Sequence, residues 1–228
     1  MDPVDSKLVW LACGSSEAHG SPVIPEVRVP PRPGKADVDP LLAAPALTRL
    51  VVAGTDADLA AVLTRLLRRE RLDVEVAYVP DGRGRSAAAR CWGLPGGGGY
   101  VLDAPAVPVP LVRDDSGGVL AGRAEIPRLR GECYADETLV LRGRGHLVVE
   151  AGPRGVGVRA SRTGRGPDGR VREVSQSARA GRGSATGARA VQVGGAEFIP
   201  LLDGIPHPRP VHRWAWYRHT TAWLLVRP

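Results

Sequence analysis

Residues 50–70 read LVVAGTDADLAAVLTRLLRRE, and two different periodicities meet within them. The first five residues, Leu50 to Gly54, form a continuous apolar run, which is typical of a strand buried on both faces of a parallel sheet. Beyond Asp56, apolar side chains recur at helical spacing while charged residues fill the opposite face. The stretch therefore predicts a buried strand, a turn and an amphipathic helix, with Asp56 or Asp58 placed to cap that helix.

The sequence that follows repeats this order. A second apolar run over 74–79 predicts a strand, and Pro80-Asp81-Gly82-Arg83-Gly84 predicts a turn. A short helical pattern over 86–92 then ends at Gly93-Leu94-Pro95. Strand, helix, strand, glycine turn and helix in this order imply a parallel sheet with crossover helices.

Beyond residue 99 the pattern changes to short β-type runs separated by glycine-containing turns, such as Asp115-Ser116-Gly117-Gly118, Gly143-Arg144-Gly145 and Gly194-Gly195. These are hairpin signals. We therefore predict an irregular N-terminal arm over 1–40, an α/β lobe over 41–97 and an antiparallel β-rich lobe over 98–228. The β-rich lobe includes an arginine- and glycine-rich excursion over 159–189.

Composition limits the classes of function. The chain has 228 residues, 43% of them hydrophobic, and a net charge of +7. Residues 159–189 hold eight arginines against two acidic residues and so supply +6 of that charge, which leaves the rest nearly neutral. An acidic N-terminus without a secretory leader and the lack of a long apolar run predict a cytoplasmic protein. Three widely spaced cysteines, none in a C-x-x-C pair, predict reduced packing residues.

Both glycine-containing turns have a physical use. Glycines between a strand and a helix let the backbone approach an anion, which then faces free amides and the positive end of the helix. Gly82 and Gly84 keep that property, and Arg83 and Arg85 would add charge that suits phosphate. The sequence alone therefore predicts that the second turn contacts phosphate.

The residues and their order resemble those of the diacylglycerol and sphingosine lipid kinases, whose fold is shared with NAD kinases. That family has a Val-Val-Ala-Gly-Gly-Asp-Gly-Thr-Leu turn, and residues 51–59, VVAGTDADL, are similar to it. A second family turn, Pro-Leu-Gly-Thr-Gly-Asn-Asp-Phe-Ala-Arg closing with Leu-Gly-Leu-Pro, resembles residues 80–86 closing with Trp92-Gly93-Leu94-Pro95. A third, Asp-Gly-Glu, resembles Asp203-Gly204-Ile205.

The resemblance implies an NAD-kinase/diacylglycerol-kinase-like α/β lobe followed by a β-rich lobe, and ATP-dependent phosphorylation of a lipid hydroxyl. It implies that Asp56 and Asp203 are catalytic and that Asp56 holds Mg²⁺ beside the transferring phosphoryl group. It also implies a set of residues that bind the nucleotide ATP: Gly54, Thr55, Gly82, Arg83, Gly84, Arg85 and Ser86.

Departures from the family pattern support a second hypothesis. Thr55 and Ala57 replace glycines, Asp58 replaces a hydroxyl residue, the Arg85-Ser86 pair replaces Asn-Asp, and Ile205 replaces a glutamate. These changes favour a catalytically inactive relative, or pseudokinase, that senses a nucleotide or contacts a protein partner. The simplest interpretation of Asp56 is then a helix cap, and that of Asp203-Gly204 a type I or I′ turn.

A third hypothesis is a nucleic-acid or anionic-surface binder that acts through the 159–189 segment. The low hydrophobicity of this segment favours a solvated excursion over nucleic-acid binding. His207, His212 and His219 lack acidic or cysteine ligands beside them, so they do not indicate a metal site. The alternation of Trp214 and Trp216 predicts packing on one face of a sheet. The substrate and the oligomeric state stay open.

Overall fold

The computed structural model of the chain describes residues 6–16, 24–81, 86–95, 97–165, 171–175 and 185–228. The chain forms two compact units. Unit 1 comprises Met1–Leu111 together with Thr220–Pro228, and unit 2 comprises Val112–His219. The sequence prediction put the division at residue 97 and assigned the chain's C-terminus to the second lobe. The structure instead returns the last nine residues to unit 1.

Unit 1 is an α/β layer structure built on one mixed sheet. Its strands and helices are β1 (Leu8–Cys13), β2 (Glu26–Val29), α1 (Lys35–Leu42), β3 (Arg49–Gly54), α2 (Asp56–Arg68), β4 (Glu75–Pro80), α3 (Ala87–Trp92), β5 (Ala106–Val109) and β17 (Trp223–Val226). The strands lie in the order β2-β1-β3-β4-β17-β5. Only the edge strand β5 is antiparallel to its neighbour, so the predicted parallel sheet is confirmed.

The predicted strand-helix-strand core is confirmed, with its bounds within a residue or two of the prediction. Leu50, Val51 and Val52 of β3 are fully buried, as a strand covered on both faces requires. Helix α2 buries the apolar stripe that its periodicity predicts, and each fully buried leucine contributes about 2 kcal/mol to stability. No helix in the described part of the chain is long and apolar enough to cross a membrane.

The prediction of an irregular arm over 1–40 is wrong for the residues that the structure describes there. Strand β1 lies inside the sheet between β2 and β3, and Val9 and Leu11 are fully buried. The six-residue apolar run of β1 has the usual length of a strand. Among the described residues, Gly14, Pro25, Pro30, Pro31, Pro33 and Gly34 lie in connections of unit 1, whereas Pro40 lies inside α1.

Unit 2 is built on an antiparallel sheet. Its strands are β6 (Val112–Asp114), β7 (Val119–Leu120), β8 (Arg123–Ala135), β9 (Thr138–Gly152), β10 (Gly155–Arg165), β11 (Val171–Ser175), β12 (Ala185–Ala188), β13 (Ala190–Phe198), β14 (Leu201–Leu202), β15 (Ile205–Pro206) and β16 (Val211–Arg218). The longest of them are β8, β9 and β10. The main path of the sheet is β11-β10-β9-β8-β13-β16-β6-β7. The predicted α/β lobe followed by an antiparallel β-rich lobe is therefore confirmed as a fold class.

Two glycine pairs that predict hairpin turns lie inside strands instead. Gly194-Gly195 is internal to β13, and Gly143-Arg144-Gly145 is internal to β9. A Cβ on Gly131 would lie 2.0 Å from the carbonyl oxygen of Gly194, so β8 and β13 approach too closely for any side chain. Gly131, Gly145 and Gly195 therefore serve close backbone contact between strands and not a change of chain direction. Gly143 differs, because its Cβ would meet nothing within 4 Å and its φ is 109°.

The C-terminal tryptophans pack as the alternation predicts. Trp214 and Trp216 are both buried, with ring centroids 6.5 Å apart, so they lie on one face of β16. Trp223 is buried in unit 1, where its ring meets that of Trp92 edge to face at 5.6 Å. Their burial leaves these three rings no open face on which a nucleic-acid base could stack.

Candidate functional site

The candidate site of unit 1 lies at the C-terminal ends of β1 and β3. From β1 the chain continues to β2 on one side of the sheet, whereas from β3 it continues to β4 on the other side. The direction in which strands are added therefore reverses between the neighbours β1 and β3. In open α/β sheets, ligands bind in the crevice outside the strand ends at such a reversal. The predicted nucleotide-binding residues Gly54 and Thr55 are located here.

The first turn is closed by a capping box. Thr55 is the N-cap of α2, and its hydroxyl accepts a hydrogen bond from the backbone N–H of Asp58 at 3.3 Å. Asp58 Oδ2 in return accepts from the N–H of Thr55 at 2.7 Å and from its hydroxyl at 2.8 Å. Thr55 and Asp58, and not Asp56, therefore cap α2.

A third donor reaches the same carboxylate from another segment. The backbone N–H of Arg32 donates to Asp58 Oδ1 at 2.5 Å, and Arg32 has a left-handed backbone with φ of 55°. The Asp58 side chain is 2% exposed. The Thr-x-x-Asp spacing is a local signal for this arrangement, whereas nothing in the sequence indicates the contribution of Arg32.

Gly54 has no room for a side chain. A Cβ at this position would lie 2.6 Å from Asp58 Oδ2 and 3.0 Å from the Cβ of Cys13. Contacts under 3.0 Å force some atom to move. The space that glycine leaves open at the strand end is therefore filled by the carboxylate of Asp58 and by Cys13.

Asp56 binds the start of the next helix. Its Oδ1 accepts from the Tyr78 hydroxyl at 2.9 Å and from the Ser86 hydroxyl at 2.5 Å. Its Oδ2 accepts from the N–H of Ala87 at 2.7 Å and of Ala88 at 3.2 Å. A carboxylate has about four lone-pair sites, and here each is directed to a donor of the chain itself. The structure thus joins two predicted site residues, Asp56 and Ser86.

The Mg²⁺ expectation is weakened by the same four contacts. In this arrangement Asp56 offers a cation no free lone pair. Within the described residues there is also no group of three or more His, Cys, Asp or Glu side chains that could hold a metal ion. The donor set on this part of the chain therefore does not fit a protein-held Mg²⁺.

Only one end of the second turn is described. Ser86 is the N-cap of α3, and its hydroxyl oxygen accepts from the N–H of Ala89 at 2.8 Å. Gly93 ends α3 with a left-handed backbone, as the sequence predicts. The predicted nucleotide-binding residues Gly82, Arg83, Gly84 and Arg85 lie outside the described residues, so the phosphate cradle stays a prediction.

Tyr78 of β4, for which the sequence carries no functional signal, lies beside Asp56 and donates a hydrogen bond to its carboxylate. Its ring is fully buried, and burial followed by the charge of Asp56 raises the pKa of its hydroxyl well above the ordinary value. The Tyr100 hydroxyl donates to the carbonyl oxygen of Tyr78 at 2.6 Å, and burial raises the pKa of Tyr100 to about 12. Both phenols therefore stay protonated and act as hydrogen-bond donors.

Asp203, the second predicted catalytic carboxylate, lies in unit 2. It starts a turn between β14 and β15 in which Asp203 and Gly204 have φ of 48° and 86°, the signs expected of a type I′ turn. Its side chain accepts from the N–H groups of Ala121 at 2.9 Å, Gly122 at 2.8 Å and Arg123 at 2.9 Å. These bonds fasten the turn to the start of β8.

The basic segment of unit 2 is described only in part. Strand β10 pairs with β11 and β12, and the Arg159 guanidinium forms an ion pair with Glu150 at 2.7 Å. Binding of nucleic acid or of an anionic surface by 159–189 stays a prediction.

Two of the C-terminal histidines have contacts of their own. The His207 ring meets that of Trp214 edge to face at 4.8 Å. Burial, and then the charge of Arg113, lower the pKa of His219.

No protein-family model matches the chain, and no curated protein matches it significantly. Solved structures do match. An NAD kinase from Archaeoglobus fulgidus in complex with ATP aligns over 96% of this chain and 93% of its own, with a TM-score of 0.55 and 11% identity. A protein provisionally assigned as a diacylglycerol kinase, from Bacillus anthracis str. Sterne, aligns over 97% of both chains, with a TM-score of 0.61 and 9% identity.

Similarity at this level of identity concerns the fold alone. It extends over nearly the whole of each chain and includes both the α/β part and the antiparallel β part. The family resemblance that the sequence indicated thus agrees with the three-dimensional comparison at the level of the fold. The chain has the fold that NAD kinases and diacylglycerol kinases share.

Proposed function

We propose that this chain is a nucleotide-binding protein of the NAD-kinase/diacylglycerol-kinase-like fold that binds ATP without transferring its phosphate. The observation that carries the proposal is the carboxylate of Asp56, whose two oxygens accept four hydrogen bonds from Tyr78, Ser86, Ala87 and Ala88. A general base must have a lone pair directed at the proton that it removes. Asp56 is occupied in a structural role.

Nucleotide binding is supported by two features. The structural neighbour from Archaeoglobus fulgidus is described as a complex with ATP, and it aligns over 96% of this chain. The second turn of the sequence keeps Gly82 and Gly84 and adds Arg83 and Arg85, the residue types that suit phosphate. We therefore assign phosphate contact to the second turn.

ATP-dependent phosphorylation of a lipid hydroxyl is the alternative. It is favoured by the alignment over 97% of a chain assigned as a diacylglycerol kinase. On this alternative Asp56 would exchange its hydrogen bonds to Ser86 and Tyr78 for the substrate hydroxyl. Mg²⁺ would then be held chiefly by the phosphates and water.

One pair of measurements decides between them. ATP binding is measured by calorimetry with and without Mg²⁺, and transfer of labelled γ-phosphate is measured with diacylglycerol vesicles and with NAD as acceptors. We expect binding without transfer. Transfer that Asp56→Asn abolishes, while that variant still unfolds cooperatively, would establish the kinase alternative.

The second turn is tested with a matched pair of glycine variants. Gly82→Val should weaken ATP binding about tenfold, because a side chain would keep the backbone amides from the phosphate. Gly99→Val is the control, since a Cβ on Gly99 would meet no atom within 4 Å. If millimolar ATP gives the wild-type chain neither heat nor thermal stabilisation, the nucleotide proposal is wrong.

A further inference from the structure

We propose that unit 2 binds an extended acidic peptide, which adds as a strand to the open edge of β16 at Val211–Ala215. Strand addition is a recurring mode of peptide recognition, in which main-chain hydrogen bonds supply affinity and neighbouring pockets supply specificity. The site consists of residues of unit 2 alone, so it is independent of the proposed nucleotide site.

The open edge results from the unequal lengths of two neighbouring strands. Strand β16 covers Val211–Arg218, but β6 pairs only with its end, from Trp216 to Arg218. On the other side, β13 pairs with β16 from Val211 onward. Within the part of the chain that the structure describes, no strand continues the sheet beside Val211–Ala215 on the side of β6. An edge of this kind presents main-chain donors and acceptors to another chain.

The alternation of the antiparallel ladder shows which main-chain groups face this edge. The N–H of Arg218 donates to the carbonyl oxygen of Arg189 at 2.8 Å, so the main-chain groups of Arg218 point to the side of β13. Along a strand these groups alternate in direction, so those of Ala215 and Arg213 point away from β13. Arg213 is exposed and lies past the end of β6, so its N–H and C=O can pair with an added strand.

A cavity of about 950 Å³ adjoins the open edge. Its lining includes Ser116 of the β6–β7 turn, Val193 of β13, and Val211, Trp214 and Ala215 of β16. Side chains of a strand point alternately to its two faces, so every second side chain of an added strand would face such a cavity. The apolar part of this lining suits small apolar side chains at those positions.

The charge around the open edge is positive. Residues 207–219 contain three arginines, three histidines and no acidic residue. His212 and Arg213 are exposed and line the cavity, together with the carboxylate of Asp115 from the β6–β7 turn. Glu197 comes no closer than 4.0 Å to the His212 ring, and both side chains are largely exposed. A partner strand with carboxylates at alternate positions therefore meets opposite charge.

Positive charge and proline can also protect an edge strand from pairing. Pro208 and Pro210 precede β16, and Arg213 lies within it. The two interpretations differ in selectivity. A protected edge rejects strands whatever their charge, whereas a docking edge accepts acidic strands and rejects basic ones.

The test is an NMR titration of the full chain with two peptides, Glu-Val-Glu-Val-Glu and Lys-Val-Lys-Val-Lys. We expect the acidic peptide to shift the amide resonances of Arg213 and Ala215 with a Kd below about 1 mM, and the basic peptide to bind at least about tenfold more weakly. N-methylation of the valines and of the glutamates blocks opposite edges of the acidic peptide. One of these methylated peptides should lose binding and the other should keep it.

Two variants of Arg213 separate charge from main-chain pairing. Arg213→Gln should weaken binding of the acidic peptide about threefold, because it removes only the charge. Arg213→Pro also removes the N–H on the open side, where no bond to β13 is lost, and should weaken binding at least about tenfold further. Arg218→Gln is the matched control and should change the Kd by less than about twofold, because β6 covers its outer side. If Arg213→Pro does not fold, the pair of methylated peptides decides.

Several results would overturn the proposal. They are no saturable shift with the acidic peptide at millimolar concentration, equal binding of the basic peptide, and an equal effect of the two methylation patterns. A dimer in sedimentation that Arg213→Pro dissociates would mean that β16 pairs with a second copy of the chain. Tighter binding of a single-stranded oligonucleotide at the same amides would assign the basic edge to nucleic acid instead.

Discussion

The hydroxyl of Tyr78 donates a hydrogen bond of 2.9 Å to Asp56 Oδ1, and the tyrosine ring that carries it is fully buried. Tyr78 belongs to β4, and Asp56 is the first residue of α2. The same carboxylate also accepts from the first amides of α3, at Ala87 and Ala88. The Asp56 side chain therefore links β4 to the starts of α2 and α3.

Replacement of Asp56 should separate its structural role from a catalytic one. Asp56→Ala leaves several donors without an acceptor and should lower the free energy of unfolding by about 3 kcal/mol. Asp56→Asn should lower it by only about 1 kcal/mol. The Asn oxygen can keep the α3 amides, and the Tyr78 hydroxyl can turn to donate to the carbonyl oxygen of Gly54, which is 3.2 Å away. Urea unfolding measures both values.

A matched control for these variants lies in the same unit. Asp103 is exposed, and Asp103→Ala should change the free energy of unfolding by no more than about 0.5 kcal/mol. Equal stability of Asp56→Ala and Asp103→Ala would mean that the carboxylate does not hold α3. In that case Asp56 would again be available for chemistry.

Close packing at Gly54 gives a second prediction. Gly54→Ala would place a Cβ 2.6 Å from Asp58 Oδ2, so the carboxylate must move or β3 must shift. We expect a loss of about 2 kcal/mol in the free energy of unfolding. Gly99→Ala is the control, because its Cβ meets nothing within 4 Å. A Gly54→Ala chain as stable as Gly99→Ala would show that the turn can open without cost.

The sequence was sufficient to predict a strand or helix where its local hydrophobic pattern matches its burial in the fold. A continuous apolar run predicts β3, and helical spacing predicts α2, because burial on two faces and on one face leave different periodicities. The first and last strands of unit 1 were harder to predict from the sequence. Strand β17 pairs with β4 across about 150 residues of chain, and no short-range pattern records such a pairing.

The candidate site was predictable in position but not in the role of its residues. Asp56 has the spacing of a cap for α2, yet its carboxylate accepts from the first amides of α3, about thirty residues further on, because the fold brings Ser86, the N-cap of α3, beside it. Gly194-Gly195 has the composition of a hairpin turn, but it lies where β13 pairs with Gly131 of β8 and the two backbones leave no room for a Cβ. In each case the deciding partner is distant in the sequence.

Two buried thiols predict how stability depends on alkaline pH. Burial raises the pKa of Cys13 and of Cys133 from 9.0 to about 12. In the unfolded chain these thiols lose their protons near pH 9, whereas in the folded chain they keep them, so the unfolded state binds fewer protons. The contribution to stability is complete below pH 9 and is lost as the pH rises from 9 toward 12.

The expected slope is about 1.4 kcal/mol of unfolding free energy per pH unit for each thiol. Urea unfolding from about pH 8 to about pH 10 measures it, and because the raised pKa values of Tyr78 and Tyr100 add to the slope as the pH approaches 10, the share of each thiol is the part that its cysteine variant removes. Cys13→Ala and Cys133→Ala should each remove one thiol from the slope, whatever they do to stability at neutral pH. A slope that neither variant changes would mean that both thiols titrate normally in the folded chain.

Asp203 acts as a clamp within unit 2, because its three amide contacts hold the β14–β15 turn against the start of β8. Asp203→Ala loses the bonds to Ala121, Gly122 and Arg123 and leaves an alanine in a left-handed backbone with φ of 48°. It should lower the free energy of unfolding by about 3 kcal/mol. Asp203→Asn should cost only about 1 kcal/mol, because asparagine tolerates that backbone and its oxygen can keep two of the amides.

Hydrogen exchange tests the clamp directly. The amides of Gly122 and Arg123 should exchange faster in Asp203→Ala and stay protected in Asp203→Asn. Asp115→Ala is the control in unit 2, since Asp115 is exposed in the β6–β7 turn. A purely catalytic Asp203 would instead leave the Gly122 and Arg123 amides protected in Asp203→Ala, and both Asp203→Ala and Asp203→Asn would lose phosphate transfer or ATP binding. The amide protection of Asp203→Ala and the activity of Asp203→Asn together distinguish a clamp from a catalytic carboxylate.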